Sequence, residues 1–528
     1  MDPHKTLLLR DARIWTGVPH APWADAALIA DGRFVFVGRE QEMNAPPAVE
    51  LLDAEERLVV PGFTDAHAHL LGTGMAMQSV DLKRTSSVEE AVARVAERFA
   101  EAPPGGWVRG AGWDQNLWPG ARFPHRHDLD AIAPNNPVVL THTSAHCVWV
   151  NSAALRAAGI TATTAAPAGG AIDRDADGEP TGILRDGTTR LIEAIAPQPT
   201  PPERIAALER AITHAQSLGV TGAHAMNVGR GELQALHALN DAGRLHLRVR
   251  AFLSAARIDE WFERNIATGD GDAMLRIGGV KFFADGALGS LTAWMFEPYE
   301  RSADRGFPLQ PPEELQHDVG RCLAHGLAPA IHAIGDRANH EVLNILERLH
   351  DRAPSLPRRI EHAQILMPDD LPRFAQLGVA ASVQPIHATE DMRQVDRDWG
   401  VRGRNAYCFR TLLESGATLA FGSDTPVQTM DPLAGIHAAV TRRDAGGDPA
   451  DGWYPHERLS VDGAVRAYTA GPADAVRESD AGRIAAGCHA DFVVLSRQIF
   501  AETDPMRILD ARVDLTAVRG EITFRRAS

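Results

Sequence analysis

Short apolar runs, separated by stretches of helical period, organise the middle of this chain. The runs predict strands at Val59–His67, Gly219–His224, Leu247–Leu253, Ile277–Phe283, Ala328–His332, Arg359–His362, Val379–Gln384 and Thr418–Gly422. Amphipathic segments between them predict helices, among them Ser87–Glu101, Glu203–Leu218, Glu313–His325 and Arg337–Leu349. Eight strands alternating with helices imply an α/β fold with a parallel barrel. The gap from about 70 to 218 is far longer than one βα connection needs, and it holds Trp107, Trp113, Trp118 and Trp149, so it reads as an insertion after the first barrel strand. Within it, Asp173 to Gly178 has the spacing of a calcium loop, but Leu184 stands where the last carboxylate ligand would be. A tight hairpin at Asp177-Gly178 is the expectation.

Both ends lack the helical period. Thr6–Leu9, Ala26–Ile29, Phe34–Val37 and Arg57–Val60 read as strands punctuated by turns such as Asp31-Gly32, and so do Ala490–Leu495, Leu515–Val518 and Ile522–Phe524. The expected division is therefore residues 1–59 and 482–528 as two parts of one β module, with a barrel over 60–481. A hydrophobic fraction of 44%, a charged fraction of 23% and no apolar run near the roughly 18 residues of a membrane span point to a soluble enzyme. Met1–Trp15 has Arg10 and Asp11 after a short leucine run and reads as a strand, not a signal. The net charge of −16, without a basic stripe, argues against nucleic acid and for the cytoplasm. Cys147, Cys322, Cys408 and Cys488 are far apart, so neither a disulfide framework nor a thiolate zinc site is expected.

The candidate chemistry starts from His67 and His69. Residues i and i+2 of a strand project to one side, so the pair can hold a single metal ion, and Asp65 extends that face. Ligand-type residues also end four later strands: Lys281 in GGVKFFADG, His332 in PAIHAIGD, His362 in RRIEHAQI and Asp424 in FGSDTPV. The C-terminal strand ends of a barrel converge on one face, so these six become neighbours. Lysine occurs only at 5, 83 and 281 in an arginine-rich chain, and one kept on an apolar strand needs a reason. Its amine can take up CO₂, and the resulting carbamate would bridge two metals; a buried salt bridge is the alternative.

These residues resemble the amidohydrolase superfamily, in particular its YtcJ-like branch, amidohydrolase family 3, which includes N-substituted formamide deformylases. The motifs are PGFTDAHAHL (61–70), GWDQNLW (112–118), NSAAL (151–155), PTGILRD (180–186), VKFFADGALGS (280–290), IHAIGDRAN (331–339), IEHAQI (360–365), SVQP (382–385), FGSDTPV (421–427) and HADFVVL (489–495). The resemblance implies a distorted (β/α)₈ TIM barrel with a small composite β-sandwich from both termini. It implies His67 and His69 on the more buried metal, His332 and His362 on the other, Lys281 as the bridging carbamate and Asp424 as ligand and proton carrier. Zinc, two ions per chain, is the expected metal, with another divalent ion open. The chain departs from the branch at His142-Thr-Ser144-Ala145-His146, where histidine is kept but its neighbours differ.

The implied reaction is hydrolysis of a C–N bond, in an amide such as an N-formyl or N-acyl amine, by metal-activated hydroxide. A bound ion lowers the pKa of water from about 15.7 to about 7. Asp424 would be general base and acid, and His146 or a backbone N–H the catalytic oxyanion contact, with a structural histidine as the alternative for His146. Asp285, Gly286 and Trp113 are candidate substrate contacts, with a βα turn and the insertion's core as the alternatives for them. His317, His325, His340 and His387 have no companion ligand and read as ordinary polar residues. Other reactions of the same site stay open: deamination of a heterocycle, or lactone, ester or carbamate hydrolysis. So does a non-enzymatic assembly role, which the complete ligand set disfavours. The expected partner is a small-molecule amide, with neither nucleic acid nor membrane; a homodimer is open.

Overall fold

The computed structural model describes residues 6–43, 49–100, 103–142, 147–167 and 170–527. Its central sheet is a set of eight parallel strands in chain order: β1 (Phe63–Ala68), β2 (Val220–Val228), β3 (Arg248–Ser254), β4 (Leu275–Phe283), β5 (Pro329–Ala333), β6 (Arg358–His362), β7 (Val379–Val383) and β8 (Leu419–Phe421). Consecutive strands are neighbours throughout, as right-handed βα crossovers require. The last pairs back toward the first through the parallel bridge Ala68–Thr425 and the bonds Asp424 N–H to His67 O and His69 N–H to Thr425 O. This is the distorted TIM barrel expected from the sequence.

Gly422 permits that closure. A Cβ there would stand 2.5 Å from the backbone nitrogen of His67, so any larger residue would force the two strand ends apart.

The run read as one strand over Val59–His67 is two. Leu58–Pro61 belongs to a β-sandwich, and β1 begins at Phe63. Gly62 is the joint: its N–H bonds to Asp491 O, and a Cβ on it would strike Thr221 at 2.1 Å. The sandwich has two sheets. One contains Leu7–Arg10, Ala26–Ala30, Arg33–Gly38 and Glu50–Asp53; the other joins Arg13–Trp15, Trp23–Ala24 and Leu58–Pro61 to Phe492–Leu495, Val513–Val518 and Glu521–Arg525. The two ends of the chain meet at Val59–Val494 and Val60–Val493, over a core that includes Leu9, Ile14, Phe34, Phe492 and Leu515.

Residues 73–207 form a second compact unit. It carries a six-stranded mixed sheet in which Val108–Trp113 is parallel to Val80–Asp81 and Val138–His142, followed by antiparallel Cys147–Val150, Pro180–Asp186 and Gly170–Arg174. Trp113, Trp118 and Trp149 pack together in its core. Asp175–Gly178 is the expected hairpin turn, its Asp175 carboxylate accepting from the N–H groups of Asp177 and Glu179. All four cysteines are buried. No helix among the described residues is long and apolar enough to cross a membrane.

Candidate metal centre

Five barrel strands deliver the candidate ligands to one end. His67 lies next to last on β1 and His69 just beyond it, Lys281 sits two residues before the end of β4, His332 is next to last on β5, His362 ends β6, and Asp424 follows β8. Strand pairing sets Phe283 beside His332 and Ala333 beside His362, so neighbouring strands present their ligands at nearly the same height. The ring centroids are 5.6 Å apart for His67–His69, 4.8 Å for His67–His362 and 4.5 Å for His332–His362. His67, His362 and Asp424 have ligand atoms within 4.8 Å of one another. Asp424 Oδ1 is 3.4 Å from His67 Nε2 and 3.2 Å from His69 Nε2.

Left-handed backbone is needed to aim two of these groups. His362 (φ 72°) and Asp424 (φ 59°) both adopt it, at a cost of order 1–3 kcal/mol for each L-residue held there. Asp65, on the same face of β1 as the two histidines, is not aimed at the pocket. Its carboxylate accepts from His67 N–H, Ser423 N–H and Ser423 Oγ, tying β1 to the turn after β8. Burial raises its pKa to about 6, against those hydrogen bonds.

Hydrogen bonds behind the imidazoles decide which nitrogen faces forward. His67 Nδ1 lies 2.7 Å from a carboxylate oxygen of Glu361, which can only accept, so Nδ1 carries the proton and Nε2 presents a lone pair. His362 Nδ1 bonds Gln384 Oε1 at 2.9 Å, which likewise leaves Nε2 free. His332 Nε2 donates to Gly286 O at 3.0 Å, leaving Nδ1. Burial pushes the pKa of His67 down to about 4 and that of His332 to about 3, so both rings are neutral at pH 7.

The donor set fits a divalent cation on two counts. The lone pair of His67 Nε2 and the Asp424 carboxylate face each other at 3.4 Å with no proton to share, an arrangement that a cation relieves. Lys281 is 1% exposed and its Nζ has no hydrogen-bond partner among the described residues. Burial lowers its pKa to about 8, so its amine is available in neutral form near physiological pH. Imidazoles with a carboxylate suit zinc and related ions.

Glu361 and Gln384, which hold these tautomers, were not singled out from the sequence. Glu361 shares its side of β6 with Arg359, while His362 beside it is turned by its left-handed backbone. His387, read as ordinary, stacks parallel to His362 with centroids 6.4 Å apart, from the short helix Pro385–Glu390 that follows β7. Of the residues considered for substrate contact, Asp285 and Gly286 adjoin His332. Asp285 is fully buried, and its carboxylate accepts from the N–H groups of Trp294, Ile334 and Gly335, while Gly286 supplies the carbonyl that orients His332. Trp113 is fully buried in the second unit, its indole N–H donating to Leu140 O. His146 lies outside the described residues.

The profile of the amidohydrolase family matches residues 50–524. The chain belongs to that family. YtcJ of Bacillus subtilis is 32% identical to this amidohydrolase over 97% of the chain and 98% of its own length. N-substituted formamide deformylase of Arthrobacter pascens is 29% identical over 100% of the chain and 99% of its own. The crystal structure of an uncharacterized metal-dependent hydrolase from Pyrococcus furiosus superposes with a TM-score of 0.80 at 31% identity, covering 94% of the chain and 100% of that structure. This amidohydrolase is thus a metal-dependent hydrolase acting on C–N bonds.

Proposed function

We propose that the enzyme hydrolyses the amide bond of a small N-formyl or N-acyl amine at a two-zinc centre. His67 and His69 would hold one ion and His332 and His362 the other, with Lys281 as a carbamate between them and Asp424 as a further ligand. The observation that carries this reading is the buried, unpartnered Nζ of Lys281 on the strand next to His332. Addition of CO₂ to the neutral amine forms an N–C bond, breaks an N–H bond and releases one proton, so a group whose cation is costly to bury would become an anion suited to holding two metals. When bound, zinc supplies Lewis-acid polarisation of the carbonyl and acidification of water.

The remaining work falls to Asp424. Its carboxylate is 14% exposed at the pocket mouth, within 3.4 Å of His67 and His69, where it can take a proton from attacking water and return it to the departing nitrogen. Amide nitrogen leaves poorly without that proton. Below Asp424 the site is dry, since His67 and Lys281 are each 1% exposed. The deformylase of Arthrobacter pascens, alignable over its whole length, supports N-substituted formamides as the first substrates to try.

The zinc-reconstituted enzyme should be offered N-formyl amines, N-acyl amino acids, cyclic amides, lactones and aryl esters, with products identified by mass. Release of formate or a carboxylic acid with a free amine is the expected result. Ammonia released from an aminated ring, with no amide turnover, would overturn the choice of substrate.

A further inference from the structure

Beneath the pocket, the barrel lumen holds a buried ionic group to which the reaction assigns no part. Arg359 and Glu361 are two residues apart on β6 and therefore point the same way, and both are essentially unexposed. The guanidinium donates to Glu361 Oε1 at 2.5 Å and Oε2 at 3.1 Å. It also donates to the carbonyl of Ala66 on β1 at 2.7 Å, to Ser382 Oγ on β7 at 2.6 Å and to His224 Nδ1 on β2 at 2.7 Å. One side chain thus braces four strands, and its face rests on the Phe252 ring of β3 at 5.0 Å.

Taken alone, this is an expensive plug. Two charges withdrawn from water gain little over apolar residues of similar size, so a buried pair is weak evidence for stability. The barrel floor shows what packing alone asks for: Arg248–Asp491 and Arg250–Glu478 fill it with pairs whose partners lie outside the barrel strands and touch no candidate ligand. Glu361 differs from these in its aim. The oxygen not closest to Arg359 Nε takes the Nδ1 proton of His67, the imidazole whose Nε2 faces Asp424. A carboxylate on the rear nitrogen of a ligand histidine fixes its tautomer, locks the ring plane and makes the forward nitrogen more basic. Arg359 in turn limits where that carboxylate can go, since its fork is matched to both oxygens.

We propose that Arg359 and Glu361 are a positioning pair for His67, and that they set how tightly the centre holds metal. The inference rests on the metal reading of the site above. It makes the metal affinity of this centre depend on a charge that lies one shell below the ligands.

The test is the zinc dissociation constant of the refolded apoprotein, measured by competition with a chromophoric chelator, with circular dichroism confirming the fold. Glu361→Gln is expected to weaken zinc binding by about 10- to 100-fold. Turnover should return toward the wild-type kcat once zinc is saturating. If Glu361→Gln does not fold, the double variant Arg359→Met/Glu361→Gln removes both buried charges together and is measured instead, with the same weakening expected. A lowered unfolding midpoint with an unchanged zinc affinity would make the pair merely structural and overturn the inference, leaving the metal reading intact. Absence of zinc binding in the wild-type protein would overturn both.

Discussion

Asp424 reaches the pocket only because its backbone is left-handed and its N–H is fastened to His67 O. The two tasks proposed for it, holding metal and moving a proton, need the carboxylate and not merely its shape. Asp424→Asn keeps the shape and should lower kcat by about 10²- to 10⁴-fold, checked by steady-state kinetics on protein of known metal content. Lys281 makes a prediction about pH. Burial lowers its pKa from 10.5 to about 8, so the neutral, CO₂-reactive fraction is half the total at about pH 8, grows as pH rises and saturates roughly one unit above that. At fixed dissolved CO₂ and zinc, the rate at which apoenzyme regains activity should therefore be half-maximal at about pH 8 and flatten roughly one unit above it. A rate still climbing toward pH 10 would mean that the lysine behaves as an exposed one. Lys281 was legible in the sequence because so few lysines compete with it; Glu361 was not, because its partner His67 lies 294 residues away and nothing local marks the pairing.

At the scale of elements, what matters is how strand ends are terminated. Each candidate ligand was singled out because it closes an apolar run, and the barrel makes such ends converge. Two features escaped that reading. Pro61-Gly62 divides the run from Val59 to His67 between sandwich and barrel without interrupting its apolar pattern, so periodicity alone joins the pieces. Asp285 looked like a pocket residue because it follows Lys281 closely, whereas its three backbone donors make it a clamp on the loop after β4. The closure of β8 on β1 is sensitive to substitution at Gly422. Gly422→Ala places a methyl 2.5 Å from His67 N and should cost about 1–3 kcal/mol of stability, read from the denaturant midpoint. Because the displaced atom is the backbone of a ligand, zinc affinity should fall with it. An alanine variant as stable and as tight for zinc as the wild type would contradict the closure described.

Over the whole molecule, the alternation of short strands and helices gave the barrel, and the β-rich ends gave the sandwich that Leu58–Pro61 and Phe492–Leu495 close. The second unit was legible as an insertion by its length and its tryptophans, but not as a six-stranded sheet, since three of its strands are parallel and their connections carry no pattern of their own. Membership of the amidohydrolase family accounts for the barrel and for a metal-dependent attack on a C–N bond. The number of ions and the state of Lys281 decide how that attack is organised here. The direct measurement is zinc per chain, by elemental mass spectrometry, for wild type and Lys281→Ala after reconstitution with zinc and bicarbonate. Close to two equivalents in the active wild-type enzyme, falling together with activity in the variant, is the result expected. A wild-type protein that takes up no zinc and stays inert, or a Lys281→Ala variant with full metal and full activity, would contradict a lysine-bridged binuclear centre.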